Sequence, residues 1–254
     1  MAIHTAQLSN HPGHGAFTGR LSTPAEVASL IGGLAAHGAL ARCDAVLSGY
    51  VGEAGIGDAI LDAAARVRAG NPAALWCCDP VMGDDGKFYV RPGVPEFFSK
   101  HAVPAADILV PNQFELATLT GAGSATFAEA KAACAALQAR MRPAGPHIVL
   151  VSSLRTAETP GDALDMLLAA QGGFFRLRTQ LLPGKFHGAG DALAALFLFH
   201  LLSTGDAVHA ATRAAESLAG LLQHTAQQNS AELLTVAAQD EFLSPGIALH
   251  AIRC

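Results

Sequence analysis

The segment FHGAGDALAALFLFHLL, residues 186–202, contains the residues best suited to chemistry in this chain. An apolar stretch of helical length follows Asp191, and three small residues come before it: Gly188, Ala189 and Gly190. Small residues let the backbone approach a ligand, and the first N–H groups of a helix can bind an anion. A carboxylate there can take a proton from a hydroxyl while the amides hold phosphoryl charge. The alternative is that Asp191 only stabilises the positive end of the helix.

Two further segments place acids where a metal ion and its phosphates could be held. CDPVMGDDGKFYV, residues 78–90, puts Asp79 at the end of an apolar run, and PNQFEL, residues 111–116, puts Glu115 three residues after Asn112. Carboxylates at strand ends bind Mg²⁺ directly or through water. Structural alternatives stand beside this hypothesis. Asp79 also fits a turn cap, and Asn112 with Glu115 fits a helix capping box.

Two loops indicate a possible substrate side. SNHPGHG, residues 9–15, contains His11 and His14, and LSGYVG, residues 47–52, contains Tyr50. A tyrosine after a strand can stack on a flat heteroaromatic ring, or it can pack at the edge of the core. The two histidines are interpreted as polar loop residues, because no third ligand follows at a spacing typical of a metal site.

Such residues need a scaffold that brings distant loops together. Apolar runs alternate with Ala-rich segments of helical length, which predicts a three-layer α/β sandwich with a mostly parallel central sheet and helices on both faces. The predicted strands are Ile3–Leu8, Asp44–Val51, Ala74–Met82, Asp107–Pro111 and His147–Ser152. The predicted helices are Pro24–His37, Ile56–Ala69, Val94–His101, Gln113–Thr120, Thr126–Met141, Gly190–Leu202 and Asp206–Gln227. LDMLLAAQGGFFRLRTQLL predicts an antiparallel edge hairpin around Gln171-Gly172-Gly173.

The composition favours a compact soluble enzyme formed by one domain, residues 1–254. Hydrophobic residues make up 51% of the chain and charged residues 15%, with a net charge of -5. A nucleic-acid-binding protein would show a basic patch, and apolar runs end well before the roughly 18 residues of a membrane span. MAIHTAQLSNHPG lacks the basic and apolar regions of a secretory signal. The five scattered cysteines predict buried thiols in a reducing compartment, the cytoplasm.

The combination of CDPVMGD, PNQFE and GAGD resembles the ribokinase-like superfamily, and within it the bacterial pyridoxal kinases. The segments SNHPGHGAFTG, CDAVLSGYVG, CDPVMGDDGKFYV, PNQFELATLTG and GAGDALAALFL all fit that family, between about Ile3 and Gln239. The resemblance implies transfer of the γ-phosphoryl group of ATP to the 5′-hydroxyl of pyridoxal with Mg²⁺. It also implies a homodimer.

The resemblance also implies a role for each matching position. Asp191 would be the general base, beside an anion hole of Gly188, Ala189 and Gly190. Asp79 and Glu115 would lie on the Mg–ATP side, with Asn112 next to them. Further nucleotide contacts would come from Ser152, Thr179, Gln180, Leu181 and Leu182. The pyridoxal ring would lie against Pro12, Gly13 and Tyr50.

The chain departs from the family pattern in two places. The family begins with an earlier strand and helix of roughly 30 residues, about one supersecondary unit, which contributes a serine to the pyridoxal site. Its absence predicts unpaired backbone on a neighbouring strand; a late start, a deficient fold and coverage by another chain all remain open. Ser152 stands where close relatives carry a lysine that touches ATP phosphate. Loss of that cation is expected to weaken nucleotide binding by about 1–3 kcal/mol.

Two alternatives to a pyridoxal kinase remain at this point. A hydroxymethylpyrimidine kinase of thiamine synthesis shares the fold and much of the loop pattern, although that subfamily tends to carry a cysteine after the Gly-x-Gly turn, where this chain has Asp191. A non-catalytic protein that binds B6 vitamers or nucleotide would explain Ser152 and the missing first unit. The combination of Asp79, Glu115 and Asp191 favours the enzyme, because a binding protein has no use for a general base.

Overall fold

The computed structural model describes residues 1–230 and 232–254, and a central mixed sheet lies between two layers of helices. The strands are β1 (Ala6–Leu8), β2 (Gly19–Leu21), β3 (Ala45–Ser48), β4 (Leu75–Cys78), β5 (Gly83–Asp84), β6 (Lys87–Phe88), β7 (Ile108–Leu109), β8 (Ile148–Leu154), β9 (Ala163–Ala170), β10 (Gly173–Gln180) and β11 (Ile252–Arg253). The α-helices are α1 (Pro24–Ala36), α2 (Ala54–Gly70), α3 (Val94–Phe97), α4 (Gln113–Thr120), α5 (Phe127–Gln138), α6 (Ala189–Thr204) and α7 (Ala207–Gln227). The predicted fold class is confirmed.

The central sheet has the order β11-β10-β9-β8-β7-β4-β3. Strands β3, β4, β7 and β8 are parallel, whereas β9, β10 and β11 pair antiparallel with their neighbours. Two successive reversals return β10 to the direction of the parallel strands. The last residues of β3, β4, β7, β8 and β10 therefore lie at one end of the sheet, which we call the carboxyl end.

The predicted hairpin is formed by β9 and β10, joined by Gln171 and Gly172. It is not the outermost element, because β11 pairs with β10 through Ile252 and Arg253. A two-residue strand far away in the chain has too little periodicity to be recognised from sequence.

Alternate residues along the strands fill two separate cores. Cys78 packs in the core with helices α1 to α5, whereas Cys77 packs in the core with α6 and α7. Successive side chains of a strand point to opposite faces, so two adjacent cysteines are separated by the sheet itself. Both are buried and free, as predicted for structural thiols.

Helices α1 and α5 begin at capping boxes that can be read directly in the sequence. Thr23 Oγ1 accepts a hydrogen bond from Glu26 N at 3.2 Å, and Glu26 Oε2 accepts one from Thr23 N at 2.7 Å. Thr126 and Glu129 form the same reciprocal pair at α5. Each box satisfies two N–H groups that the first helical turn leaves without partners.

The segment Ile3–Leu8 does not join the central sheet, which corrects the prediction. Its last three residues form β1, which pairs with β2 in a separate two-stranded sheet. Within the described residues, β3 is the outer strand of the central sheet, and Leu47 on it is 43% exposed.

The helix predicted at Val94–His101 is also different. Helix α3 ends at Phe97 and continues as a π-turn at Phe98–Ala102 and a 3-10 turn at Val103–Ala105. Pro104 cannot donate the backbone hydrogen bond of a continuing helix, so the segment turns instead. None of the helices in the described ranges combines the length and apolar character needed to cross a membrane.

Candidate functional site

The carboxyl end of the sheet gathers most of the residues singled out in the sequence. They follow five different strands, which are neighbours or near neighbours in the sheet. In sheets of this type, ligands bind just beyond the strand ends. The residues at this end are Tyr50 after β3, Asp79 after β4, Asn112 after β7, Ser152 near the end of β8, and Thr179, Gln180, Leu181 and Leu182 at the end of β10.

Asp191 is the third residue of α6, at the N-terminal end of that helix. Gly188 caps the helix with φ 84°, a left-handed conformation that favours glycine. Ala192 N donates to Gly188 O at 3.0 Å, so the N–H groups before it have no partner inside the helix. A methyl group placed on Gly49, just after β3, would lie 3.4 Å from Asp191 Oδ1. The carboxylate of Asp191 thus lies beside the residue that follows β3.

Asp79 is buried, with 7% of its surface exposed, and it lies beside the start of α6. Its backbone is fixed because Asp79 N donates to Ser48 O at 2.8 Å. A methyl group placed on Gly190 would lie 3.9 Å from Asp79 Oδ2. Burial, together with the charges of Glu115 and Asp191, raises the pKa of Asp79 well above its ordinary value. The side chain therefore occupies a place where added positive charge would be favourable.

Glu115 is 2% exposed and is held from two sides. Its Oε2 accepts a hydrogen bond from Asn112 N at 2.9 Å, and its Oε1 accepts one from Met82 N at 2.8 Å. Asn112 closes the capping box by accepting from Glu115 N, and its Nδ2 donates to Gly83 O at 2.8 Å. Burial raises the pKa of Glu115 to about 7, although these hydrogen bonds oppose the shift. The capping box and the buried acid are one arrangement, not alternatives.

Asp191 is open to solvent at the mouth of the same site. Partial burial raises its pKa, and the neighbouring His11 opposes that rise. Since Asp191 in turn raises the pKa of Asp79, three acids from β4, α4 and α6 share one electrostatic environment.

The residues predicted for the nucleotide side extend from this acid cluster along the sheet. Ser152 N donates to Pro111 O at 2.9 Å, which bridges β8 to the residues before α4. Ser153, next to it, adopts φ 51° at an irregularity in the pairing of β8 with β9. At the end of β10, Leu181 N donates to Asp162 O at 2.8 Å. These contacts fix the backbone of both segments.

The residues predicted for the substrate side lie at the opposite flank. Tyr50 O accepts a hydrogen bond from Thr5 Oγ1 at 2.5 Å, and the tyrosine is half-buried. Pro12 and Gly13 belong to an exposed 3-10 turn that reaches His14. The turn lies against His187, directly before the anion hole: a methyl group on Gly13 would lie 2.3 Å from His187 Cε1. The turn predicted to face the acceptor is therefore adjacent to the predicted anion hole at the start of α6.

Comparison with known proteins establishes the family. A family model described as phosphomethylpyrimidine kinase matches residues 34–235. The pyridoxal kinase PdxY of Granulibacter bethesdensis is 55% identical over 254 residues, which cover 100% of this chain and 89% of that protein. The pyridoxal kinase PdxY of Deinococcus radiodurans is 47% identical over 246 residues, 96% of this chain and 83% of that protein. The chain belongs to the pyridoxal kinase family.

Solved structures of pyridoxal kinases share the fold. The Leishmania donovani enzyme in complex with ADP and pyridoxamine superposes with a TM-score of 0.88 at 26% identity, covering 99% of this chain and 88% of that one. The same enzyme in complex with ADP and pyridoxine gives the same values. The resemblance to the ribokinase-like pyridoxal kinases, read from the sequence, is thus confirmed, and the hydroxymethylpyrimidine kinase alternative is not favoured.

Two residues of this pyridoxal kinase homologue escaped the sequence reasoning. Tyr89 lies by the acids: burial and then the charges of Glu115, Asp84, Asp79 and Asp191 raise its pKa. Its position in CDPVMGDDGKFYV was the available signal. His187 lies against the loop at residues 9–15, and its only signal was its place directly before Gly188.

Proposed function

We propose that this protein is a pyridoxal kinase that transfers the γ-phosphoryl group of ATP to the 5′-hydroxyl of pyridoxal. The observation that carries the proposal is the meeting of Asp191, at the N-terminus of α6, with the buried acids Asp79 and Glu115. Phosphoryl transfer needs a base for the acceptor hydroxyl, positioning of two substrates and neutralisation of phosphate charge. This constellation supplies these functions in a protein that is 55% identical to a pyridoxal kinase.

Asp191 acts as the general base in this proposal. Its carboxylate takes the proton of the 5′-hydroxyl as the oxygen attacks the phosphorus. The raised pKa suits that task, because a base works best when its pKa approaches the working pH. The N–H groups that follow Gly188, through Ala189 and Gly190, hold the charge that develops on the transferred group.

Asp79 and Glu115 form the metal side. Mg²⁺ is typically bound by one or two carboxylates together with substrate phosphates and water. Two buried acids whose pKa values are raised by burial fit that role, because a cation would relieve their unfavourable environment. When bound, the ion neutralises phosphate charge during transfer. Glu115 is already held by two backbone N–H groups, and in this proposal it would hold the ion through water.

The remaining positions complete the proposal. Asn112 orients Glu115. The nucleotide side is lined by Ser152, Thr179, Gln180, Leu181 and Leu182. Tyr50, Pro12 and Gly13 face the pyridoxal ring. Ser152 lacks the charge of the lysine expected there, so ATP binding is weaker than in relatives that carry it. A homodimeric assembly and a cytoplasmic location also belong to the proposal.

The deciding experiment is an assay of ADP release from Mg–ATP with pyridoxal or hydroxymethylpyrimidine as acceptor. Pyridoxal-dependent turnover is expected, and Asp191→Asn should lower it at least about a hundredfold, the low end for the loss of a general base. Asp58→Asn, an exposed acid on α2, is the matched control and should behave like the parent protein.

The other outcomes are equally informative. Preferred turnover of hydroxymethylpyrimidine would overturn the assignment of the acceptor. An unchanged rate in Asp191→Asn would overturn the role of the base. Binding of pyridoxal by calorimetry without any turnover would support the non-catalytic alternative instead.

A further inference from the structure

Three imidazole rings and one carboxylate meet at the mouth of the site. We call His11, His14, His187 and Glu232 the histidine latch. The rings of His11 and His187 are stacked, with centroids 3.9 Å apart and planes 18° from parallel. The ring of His14 meets His187 edge-on at 4.9 Å, and His14 Nε2 lies 2.9 Å from Glu232 Oε1. The latch thus joins the loop after β1, the loop before α6 and the segment after α7.

The loop half of the latch is a rigid turn. His11 Nδ1 accepts a hydrogen bond from Gly13 N at 3.0 Å, and His14 N donates to His11 O at 3.0 Å. A methyl group at position 13 would lie only 2.3 Å and 2.4 Å from two atoms of the His187 ring, so the ring or the turn would have to move. The turn and the ring of His187 are therefore in direct contact.

The surroundings of the stack disfavour a charge on His187. His11 Nδ1 accepts the hydrogen bond from Gly13 N, which orients the ring of His11 against that of His187. Burial and then the neighbouring His11 and His14 lower the pKa of His187; Glu232 opposes this and Lys185 adds to it. Face-to-face stacking does not direct ring nitrogens to a common point. In agreement with this, residues 1–230 and 232–254 contain no group of three or more His, Cys, Asp or Glu side chains that could hold a metal ion.

We infer that the histidine latch fastens the acceptor loop, residues 9–15, to the loop that carries the anion hole, and so sets the affinity for the phosphoryl acceptor. His187 is a positioning residue: it directly precedes Gly188 and holds His11 near Asp191. The inference rests on the proposed function, since it takes this loop as the acceptor side. A loop that is held in place costs less to order when the acceptor binds, which favours binding.

Gly13→Ala is the direct test, because its methyl group forces the turn and the ring of His187 apart. The KM for pyridoxal should rise about fivefold to tenfold, the scale of one aromatic contact, while kcat and the KM for ATP change little. His187→Ala should raise the same KM, and His187→Phe, which keeps a flat ring, should restore it. A general loss of folding would lower the apparent kcat, and with it kcat/KM for both pyridoxal and ATP. The expected pattern therefore separates a positioning role from a loss of stability.

The double variant Gly13→Ala/His187→Ala makes the test sharp. Without the ring, the new methyl group has room, so Gly13→Ala should raise the KM in the parent protein but have little effect in the His187→Ala background. This non-additivity is expected only if the two sites are in contact in the working enzyme. Equal effects of Gly13→Ala in both backgrounds would overturn the inference.

A readout without activity separates this inference from the proposed function. Amide hydrogen exchange of residues 9–18 should be faster in Gly13→Ala and in His187→Ala than in the parent, and no faster in the double variant than in His187→Ala. If pyridoxal is not phosphorylated but this exchange pattern is observed, the proposed function is wrong. The histidine latch then joins the two loops but has no role in acceptor affinity. If pyridoxal is phosphorylated and exchange is unchanged, the latch inference is wrong.

Discussion

Asn112 and Glu115 cap each other: each side chain accepts a hydrogen bond from the other residue's backbone N–H, both at 2.9 Å. The same Glu115 is among the most buried acids of the chain. A capping box usually lies at the surface, where it stabilises a helix end and nothing more. Here the box serves to hold a carboxylate, in one orientation, at the carboxyl end of the sheet.

We expect Glu115→Gln to raise the KM for Mg–ATP at least about tenfold, the scale for losing an outer partner of a bound metal. A neutral amide offers one acceptor instead of two and cannot complement a cation. Steady-state kinetics at varied Mg–ATP measures the effect. Glu129→Gln is the matched control, because Glu129 occupies the same position in the box of α5 but is exposed. Equal KM changes in both variants would assign Glu115 a capping role only.

In the absence of nucleotide and Mg²⁺, the buried acids predict that the free energy of unfolding decreases as the pH rises. Folding raises the pKa of Glu115 from 4.5 to about 7, so in this range the folded state binds more protons than the unfolded chain. The free energy of unfolding therefore falls as pH rises from about 4.5 to about 7, by at most about 3 kcal/mol from this residue. The raised pKa of Asp79 acts in the same direction.

Urea denaturation of the parent protein and Glu115→Gln at pH 5 and pH 7 isolates this contribution, because the histidines titrate in both proteins. The difference in free energy of unfolding between the two should move in favour of the variant as pH rises. A difference that is the same at both pH values would contradict the assignment.

Asp107 predicts a purely structural effect. It is fully buried, and its carboxylate accepts hydrogen bonds from Arg68 Nη2 at 2.6 Å, Arg142 Nε at 2.7 Å and Trp76 N at 2.8 Å. We expect Asp107→Asn to lower the free energy of unfolding by about 3 kcal/mol, because two guanidinium groups lose their counter-charge.

The matched control for this variant is Asp62→Asn, which removes an exposed ion pair with Arg66 on α2. It should change the free energy of unfolding by less than about 1 kcal/mol. Urea denaturation measures both, and the KM values of the folded enzymes should not differ. Comparable losses in the two variants would show that the buried arrangement adds nothing.

Ser152→Lys is expected to strengthen nucleotide binding. A cation near the end of β8 would face the phosphates, and a hydrogen bond between charged groups of about 1–3 kcal/mol corresponds to a Kd lower by about fivefold to 150-fold. Titration calorimetry with Mg–ATP provides the measurement. Ser153→Lys adds the same charge one residue later, at an exposed position with φ 51°, and should have a smaller effect. Equal gains would mean that only net charge matters.

Local signals predicted a large part of the fold. The helix start after Asn112 follows from a capping residue three positions before an acid, and the starts after Thr23 and Thr126 have the same local pattern, since such hydrogen bonds depend on near neighbours alone. The hairpin of β9 and β10 follows from its glycine-containing turn. By contrast, β5 with β6, the pairing of β1 with β2 instead of the central sheet, and the two-residue β11 depend on partners too short or too distant to leave a periodic pattern.

The sequence by itself determined the chemical inventory of the site: a carboxylate after Gly-x-Gly, an acid at the end of a strand, and a capped glutamate. It could not determine that Asp79, Glu115 and Asp191 perturb one another, or that His187 meets His11 and His14, because these residues are separated by tens of residues in the chain. Spacing along a chain governs local hydrogen bonds, whereas charge interaction and ring stacking depend on distances through space. Only the tertiary structure decides those distances.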